Sequence, residues 1–402
     1  MALKLAGGII ALLAVLFQFV VKDILFTTLG YGRDLQSIDE FPYSCRRIYH
    51  PLLDSCEDLW LDDSGRRLYA ACSAISSRKH WNPAADKLNT SGRGLTDHIS
   101  VLNIDEPGPE KLYGVHELQL TGPYASATGG REIDLHGFDV QVLDNDEGRL
   151  RFFVINHRPV SAISSSPVDA RQHGANSTVE VFDLVRGETE LRFVRTISDP
   201  AIQTPNRPAS TGDGGFVVTN DHSAKVGFRR ELDLLLGGGS IAYCSATSKC
   251  HIASNSGFNF PNGIVRGADG LYYTPSAMTG EVSIHRLSTN RTLTKVGEIY
   301  LGMPLDNLSV DAEGDIFAAG FPKAQKMLKA MGTPETIGVP TTVWRVRRKG
   351  GEGLGFEVVK VLEDRECSVL PGTTSVVHDA RKDVFWLGGP TSNFISVCER
   401  RG

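Results

Sequence analysis

The sequence predicts an all-β fold, a six-bladed β-propeller preceded by an N-terminal hydrophobic helix. Three observations support this prediction. A turn rich in Asp or Gly followed by a short β-prone run occurs six times, helical periodicity is scarce, and 42 glycines and 19 prolines are spread along the 402 residues. Repeated units of this size indicate blades of short strands around one axis. A β-sandwich is the alternative, although it does not explain similar hairpins so far apart.

The first element is an uncharged segment, residues 5–21, flanked by Lys4 and Lys22. Its length of about 17 residues is at the short limit for a membrane span. We favour an uncleaved signal anchor within residues 1–30, and the alternatives are a cleaved signal peptide and a buried helix. Either of the first two directs the chain to the secretory pathway, with the domain on the lumenal or extracellular side and the membrane as a partner.

Three sequons agree with that compartment, and they predict glycans on Asn89, Asn176 and Asn290. The seven cysteines also permit disulfides. A bond between Cys45 and Cys398, near the two ends of the domain, would close a ring, and Cys244 and Cys250 could close a short loop. Spacing alone leaves the pairing open. Cys56 is expected to be a small buried residue.

The predicted propeller domain spans residues 40–402 and carries the repeated units. Other strand-like runs separate them, and one short helical candidate, PKAQKMLKAMG, interrupts the pattern. The six units are DDSGRRLYAACS, DNDEGRLRFFVINH, GDGGFVVTNDH, GADGLYYTPS, DAEGDIFAAG and HDARKDVFWLGG. Hydrophobic residues make up 41% of the chain and charged residues 22%, which excludes global disorder. The net charge of −5, without a basic block, leaves no electrostatic footprint for nucleic acid.

An oxygen-bearing side chain stands eight residues before the turn glycine in four of these units. The residues are Glu57, Asn206, Asn262 and Asp306, counted from Gly65, Gly214, Gly270 and Gly314. Because the innermost strand precedes such a hairpin, one register means one height along the propeller axis. Asn307, beside Asp306, adds a fifth oxygen ligand.

Two carboxylates and three amides form an all-oxygen site, which suits Ca²⁺ better than Zn²⁺ or Mg²⁺. A buried amide without a partner is costly, and a bound cation would supply the partner. The alternative is that each Asn only caps a turn. Asn307 also lies in the sequon NLS, and as a buried ligand it is expected to stay unglycosylated.

Several stretches resemble the paraoxonase family of arylesterases and lactonases. They are collinear from about Cys45 to Cys398, and they read CEDLWLDDSGRRLYAACS, LHGFDV, VINHRPV, STVEVFDL, VVTNDH, GFNFPNGI and LDNLSVDAEGDIFAAG. The resemblance implies a six-bladed propeller and a retained N-terminal hydrophobic signal. It also implies a disulfide between the terminal segments and two central calcium ions, one catalytic and one structural.

Carried over residue by residue, the resemblance implies that the catalytic calcium is held by the five residues that the register argument selects. It places the family's histidine pair on His136 and His157, and a further active-site position on His222. Each histidine has a structural alternative, a core side chain bonded to a backbone carbonyl.

The structural calcium of the family is where this chain departs from the pattern. Asp58 matches one ligand and the carbonyl of Phe138 a second, but Arg207 replaces the remaining Asp. A guanidinium cannot ligate a cation, and Arg207 is expected to pair with Asp58 in the place of that ion. One catalytic ion is therefore predicted, and the second is in doubt.

The predicted function is hydrolysis of small-molecule aryl esters and lactones that depends on calcium. The ion would polarise the carbonyl, His136 would activate water, and His157 would orient it, with Glu57 and Asp306 as alternative bases. No GxSxG motif is present, which argues against an α/β-hydrolase. The alternatives are a gluconolactonase or strictosidine-synthase-like propeller and a non-catalytic binding propeller stabilised by calcium. The physiological substrate and the oligomeric state stay open.

Overall fold

The computed structural model describes residues 8, 12, 14–15, 17–143, 146–160, 168–334, 337–350 and 353–402. Its strands form six sheets of four or five strands, which are the blades of a propeller, and one small two-stranded sheet. The innermost strand of each blade contacts the innermost strands of both neighbouring blades, so the ring is closed. The predicted all-β, six-bladed fold is confirmed.

The strands are numbered in the order in which they occur along the chain. They are β1 (Tyr43–Tyr49), β2 (Asp58–Asp62), β3 (Arg67–Cys72), β4 (Trp81–Asn82), β5 (Lys87–Leu88), β6 (His98–Asn103), β7 (His116–Glu117), β8 (Gln119–Thr121), β9 (Leu135–Leu143), β10 (Asp146–Asn156), β11 (Thr178–Val185), β12 (Glu190–Ile197), β13 (Pro205–Ser210), β14 (Phe216–Asn220), β15 (Ser240–Cys244), β16 (Cys250–Ser254), β17 (Val265–Arg266), β18 (Tyr272–Pro275), β19 (Glu281–Leu287), β20 (Leu293–Tyr300), β21 (Leu305–Val310), β22 (Ile316–Gly320), β23 (Thr341–Arg348), β24 (Phe356–Asp364), β25 (Ser375–Asp379), β26 (Val384–Gly388) and β27 (Phe394–Arg400).

The described helices are short, as the scarcity of helical periodicity predicts. The α-helices are α1 (Ile75–Arg78), α2 (Ala170–His173), α3 (Phe228–Glu231), α4 (Asp233–Leu236) and α5 (Ala324–Ala330). The 3₁₀ turns are Ile38–Glu40, Pro51–Leu53, Pro83–Ala85, Thr90–Gly92 and Pro109–Lys111, and π-helical turns occupy Phe17–Val21 and Asp23–Thr28. The helix predicted within PKAQKMLKAMG is α5.

The six innermost strands are β2, β9, β13, β17, β21 and β25. In the chain, β2, β13, β17 and β21 are the first strands of their blades, whereas the second blade also takes β8, which precedes β9 and pairs in parallel with β12 at the outer edge. The sixth blade is made from both ends of the domain, because β1 pairs antiparallel with β27 outside β25 and β26. Cys45 and Cys398 are register partners in that pair, and they form a disulfide, as expected.

Removing this disulfide is expected to cost more stability than removing the one between Cys244 and Cys250. The first closes a loop across a sequence separation of 353 residues and the second across 6. Loop-closure entropy in the unfolded chain grows with loop length, so the ring-closing bond belongs at the upper end of the ~2–5 kcal/mol range. Chemical denaturation of the two Cys→Ser double variants measures the difference. Equal losses would contradict it.

Cys56 is completely buried, as expected. Its pairing, which the spacing left open, is a disulfide with Cys72, the last residue of β3. Sequence spacing could not reveal this pair, since antiparallel pairing of β2 with β3 is what brings the two residues together. Cys56 directly precedes Glu57, so the bond fixes the chain at the entrance to β2. Cys367 is the cysteine left free, and burial raises the pKa of its thiol to about 11.

The predicted hydrophobic helix in residues 5–21 lies largely outside the described residues. In the part of the chain that the structure describes, no helix is long and apolar enough to cross a membrane. The segment that follows it is packed on the propeller. Arg33 donates hydrogen bonds to the carbonyl oxygens of Gly302 and Pro322, and Thr27 Oγ1 lies 2.8 Å from the hydroxyl of Tyr300.

Candidate active site at one end of the propeller axis

The four residues in register all lie where a chain segment enters an innermost strand. Glu57 directly precedes β2, Asn206 and Asp306 are the second residues of β13 and β21, and Asn262 is in the segment that leads to β17. Entry ends of innermost strands surround one end of the axis. The structure therefore places these residues, from four blades, at the same end of the propeller.

The ladders of three innermost strands are interrupted beside these residues. The register shifts between Pro205 and Pro208 in β13 and between Leu305 and Leu308 in β21. A similar shift occurs where β9 pairs with β10, between Leu135 and Phe138 of β9. An irregularity of this kind re-aims side chains that strict alternation would send to opposite faces. It explains how the neighbours Asp306 and Asn307 both serve this end of the axis.

His136 joins two of the four residues. Its Nδ1 lies 2.9 Å from Glu57 Oε2, and its Nε2 lies 3.2 Å from the amide nitrogen of Asn206. Only 2% of His136 is exposed. These neighbours favour the tautomer with the proton on Nδ1. Burial alone would raise the pKa of Glu57, but His136, and then Arg78, outweigh it and lower that pKa below its ordinary value.

Asp306 has the opposite electrostatic setting. Burial, together with the nearby carboxylates of Glu57 and Asp58, raises its pKa well above the ordinary value, although a hydrogen bond with Asn262 opposes the shift. A carboxyl group that is buried beside two others lacks a compensating cation. Among the residues that the structure describes, no Lys, Arg or His forms an ion pair with Asp306.

Two amide oxygens at the same end have no partner among the described residues. Asn262 Oδ1 and Asn307 Oδ1 are buried and accept no hydrogen bond from that part of the chain. Asn307 is held in place because its amide nitrogen donates to Ser375 Oγ at 3.0 Å. A Cβ added to Gly263 would collide with Asn307 Oδ1, so the glycine leaves room for this oxygen. Unpartnered oxygens next to an uncompensated carboxyl group fit a hard cation such as Ca²⁺.

The composition of this oxygen set separates it from sites for softer metals. Among the residues that the structure describes, no three His, Cys, Asp or Glu side chains form a metal-binding group. The set here combines two carboxylates with amides, which suits Ca²⁺ and not Zn²⁺. The residues present therefore fit one calcium ion.

They do not fit the second, structural ion. Asp58 Oδ1 accepts hydrogen bonds from the Leu59 amide and Ser375 Oγ, at 2.9 and 3.0 Å. Its Oδ2 accepts from the Phe138 amide at 3.0 Å and from Arg207 Nε at 2.7 Å. Both oxygens are thus fully used, and the expected pairing of Arg207 with Asp58 is present. Phe138 meets Asp58 through its N–H.

His157 lies next to His136, with ring centroids 4.9 Å apart. Its Nδ1 is 2.9 Å from Ser177 Oγ, and its Nε2 is buried with no hydrogen-bond partner in the part of the chain that the structure describes. Burial is the main cause that lowers the pKa of His157 well below its ordinary value, and the charge of Arg78 acts in the same direction. The ring is therefore neutral at pH 7. A cavity of about 10 Å³ between His157, Ser177 and Asp221 has room for roughly one water molecule.

Asp221 and Arg78 are members of the site that the sequence did not single out. Asp221 Oδ1 lies 2.6 Å from Nδ1 of His222. The negative charge of Asp221 also opposes the lowering of the pKa of Glu57 and of His157. Arg78, the last residue of α1, lies 3.4 Å from Glu57 Oε2. The stretch TNDH contained a signal for Asp221, since an acid directly precedes the predicted histidine. Arg78 follows no spacing rule and is brought in by the fold.

The phenylalanines near the motifs have different surroundings. Phe138 is completely buried and stacks on Phe152 of the same blade, so it is a core residue. Phe260 lies edge-on to His222 with centroids 4.7 Å apart, and its φ of 51° is rare outside glycine. Phe260, unlike Phe138, is only partly buried.

Asn307 is expected to carry no glycan despite its sequon. It is 3% exposed within β21 and bonds to Ser375, so an attached sugar is incompatible with the closed ring. Asn176 and Asn290 are exposed and are expected to be modified in a secretory host. Enzymatic deglycosylation in H₂¹⁸O followed by peptide mapping distinguishes the sites. A glycan on Asn307 of the folded protein would contradict its role as a ligand.

Comparison with known proteins gives a consistent family match. Residues 168–383 match the family model for arylesterase. The chain is 25% identical to serum paraoxonase/arylesterase 1 of Homo sapiens over 327 residues, 77% of this chain and 82% of that protein. It is 31% identical to serum paraoxonase/lactonase 3 of Rattus norvegicus over 269 residues, 64% of this chain and 71% of that protein. Some other paraoxonases match over about half of their own length.

Solved propellers are similar to this chain at low identity. A gluconolactonase from Xanthomonas campestris superposes with a TM-score of 0.47 and 11% identity, covering 89% of each chain.

Proposed function

The chain belongs to the arylesterase family of the serum paraoxonases, and on that premise we propose that it is a calcium-dependent hydrolase of aryl esters and lactones. One observation carries the proposal. Two buried carboxylates, Glu57 and Asp306, share one end of the axis with the unpartnered amide oxygens of Asn262 and Asn307, beside His136.

One calcium ion would be held by Glu57, Asn206, Asn262, Asp306 and Asn307. When bound, it supplies a Lewis acid that polarises the ester carbonyl and stabilises the developing oxyanion. Glu57 and Asp306 contribute the negative charge of this site, and the amides contribute neutral oxygens. Asn307 is pre-oriented by Ser375, which lowers the entropic cost of bringing it to a ligand.

His136 is the proposed general base. With its proton on Nδ1 facing Glu57, the lone pair on Nε2 is free to accept a proton from water once its weak 3.2 Å contact with Asn206 is given up. The oxygen of that water bonds to the carbonyl carbon, and the bond from this carbon to the alkoxy oxygen then breaks. The proton held at Nε2 passes to the leaving oxygen, so the base is regenerated.

His157 and His222 are proposed in supporting roles. Neutral His157 lies against His136 and presents an unpartnered Nε2, which suits orientation of the base and relay of its proton. His222 is held by Asp221 and packs against Phe260, which suits contact with the substrate.

The domain is proposed to work on the lumenal or extracellular side of the secretory pathway. Three disulfides are stable in such an oxidising compartment. Residues 1–30 would deliver the chain there, and retention of that segment as a membrane anchor stays a prediction. Glycans on Asn89, Asn176 and Asn290 belong to the same proposal.

Hydrolysis assays of the full chain, with calcium and with chelator, test the function. The substrates are phenyl acetate, an aliphatic lactone and an acyl-homoserine lactone, with gluconolactone included for the alternative enzyme class. Turnover that requires calcium is expected, and the ranking of substrates separates arylesterase from lactonase. No turnover by a folded, calcium-loaded protein would favour a non-catalytic binding propeller.

A further inference from the structure

Arg207 lies on the propeller axis, on the far side of the candidate active site. It follows Asn206 in β13, and its side chain is 3% exposed. A second cavity, about 480 Å³ in volume, opens at the opposite end of the axis and includes Arg207 in its lining, with Asp62, Asp139 and Asp311. The guanidinium therefore separates the candidate active site from the opposite mouth of the channel.

The ion pair of Arg207 with Asp58 touches the innermost segment of every blade. Arg207 belongs to the third blade and Asp58 to the first, and their side chains are 2.7 Å apart. Arg207 Nη1 donates to the carbonyl oxygens of Leu308 in the fifth blade, at 2.7 Å, and Ile264 at the entrance to the fourth, at 3.4 Å. Asp58 accepts from the Phe138 amide in the second blade and Ser375 Oγ in the sixth.

A bound cation at this point would organise the same groups, since carbonyl oxygens and a carboxylate are its usual partners. The guanidinium already satisfies them, and it also carries the charge that a buried carboxylate needs. Asp139 is a further acid nearby, and although burial raises its pKa to about 6, Arg207 opposes that shift. The positive charge thus serves two acidic residues.

We infer that the guanidinium of Arg207 is the resident cation of the propeller axis, so that the closed fold needs no structural divalent ion. Unlike a metal ion, this cation is covalently attached and cannot dissociate. Arginine also stays charged at every physiological pH. Closure of the ring is therefore independent of calcium, and calcium binds only at the candidate active site. The inference relies on the proposed function for that one ion alone.

Metal binding by the unmodified full chain is the first test. After exhaustive chelation, the protein is expected to keep its far-UV spectrum and one cooperative unfolding transition. Titration with calcium alone, followed by calorimetry, is expected to give one ion per chain. The free energy of unfolding should rise with the logarithm of calcium concentration at the slope of a single released ion. Two ions per chain, or unfolding on chelation, would overturn the inference.

Two substitutions test the residue itself. Arg207→Met leaves Asp58 buried without its partner and is expected to lower the melting temperature in chelator far more than Arg186→Met. The control removes the ion pair between Arg186 Nε and Asp62 Oδ2, which are 2.8 Å apart. Asp62 lies in β2, the innermost strand that also carries Asp58. Arg207→Asp is expected to need calcium to fold and to bind two ions. The axis does not depend on the guanidinium if Arg207→Met and Arg186→Met have the same melting temperature in chelator. The same conclusion follows if Arg207→Asp binds only one calcium ion.

The outcomes separate this inference from the proposed function. No bound calcium in a stably folded wild type would remove the calcium-dependent mechanism and leave the role of Arg207 standing. Two bound ions with calcium-dependent turnover would support the proposed function and overturn the role of Arg207.

Discussion

Replacing Asn262 with alanine is expected to weaken calcium binding roughly 100-fold or more and to lower ester turnover in parallel. Loss of outer groups around a metal already costs about 10–100-fold in affinity, and a direct ligand contributes at least as much. The side-chain oxygen accepts no hydrogen bond from the described residues, so its removal breaks no acceptor contact among them. The same side chain bonds with Asp306, so stability in the absence of calcium should fall by about 1 kcal/mol, the net contribution of one hydrogen bond. Calcium titration and initial rates at each calcium concentration measure both effects.

Asn220→Ala is a matched control for the opposite case. Asn220 is also a buried amide, but all of its hydrogen-bonding capacity is used within the protein. Its oxygen accepts from the amides of Gln203 and Thr204, and its nitrogen donates to Ala201 and Ser240. Its loss should lower the melting temperature while calcium affinity stays nearly constant. Unchanged calcium affinity and activity in Asn262→Ala would remove Asn262 from the ligand set.

The contrast between Asn262 and Asn220 shows what the sequence could predict. A polar residue at a fixed distance from a turn glycine marks the entrance to an innermost strand, because each blade repeats the same hairpin. That regularity predicts the number of blades and the height of Glu57, Asn206, Asn262 and Asp306. It does not state which amides are left unpartnered, since that depends on contacts between blades.

Features that depend on contact between distant segments were not predictable. Arg78 contacts Glu57 from a helical turn outside the repeated hairpins. Asp221 was signalled only by its place directly before the predicted His222, and its position beside Glu57 and His157 follows from the fold. The disulfide of Cys56 with Cys72 follows from the pairing of β2 with β3. The pairing of Arg207 with Asp58 was expected from the sequence, but the hydrogen bonds of Arg207 to the carbonyl oxygens of Leu308 and Ile264 became apparent only from the fold.

His136→Gln is expected to lower kcat for lactones by about 10²–10⁴-fold at saturating calcium, the usual contribution of a general base. The calcium dissociation constant should change much less, because His136 is not among the proposed ligands. A surface control is His251→Gln, since His251 is exposed and contacts only the Arg291 carbonyl through Nε2 among the hydrogen bonds described for its side chain. This control should match the wild type in both measurements.

The decrease in kcat of His136→Gln should depend on the leaving group of the substrate. A lactone releases an aliphatic alkoxide, which needs the proton held at His136 Nε2, whereas phenyl acetate releases a phenoxide whose conjugate acid has a pKa near 10, like that of tyrosine. Phenyl acetate should therefore retain more activity in His136→Gln than the lactone does. If both substrates keep wild-type kcat while calcium remains bound, the base is not His136. Glu57 and Asp306, the other groups able to accept the proton, would then be tested by the same comparison.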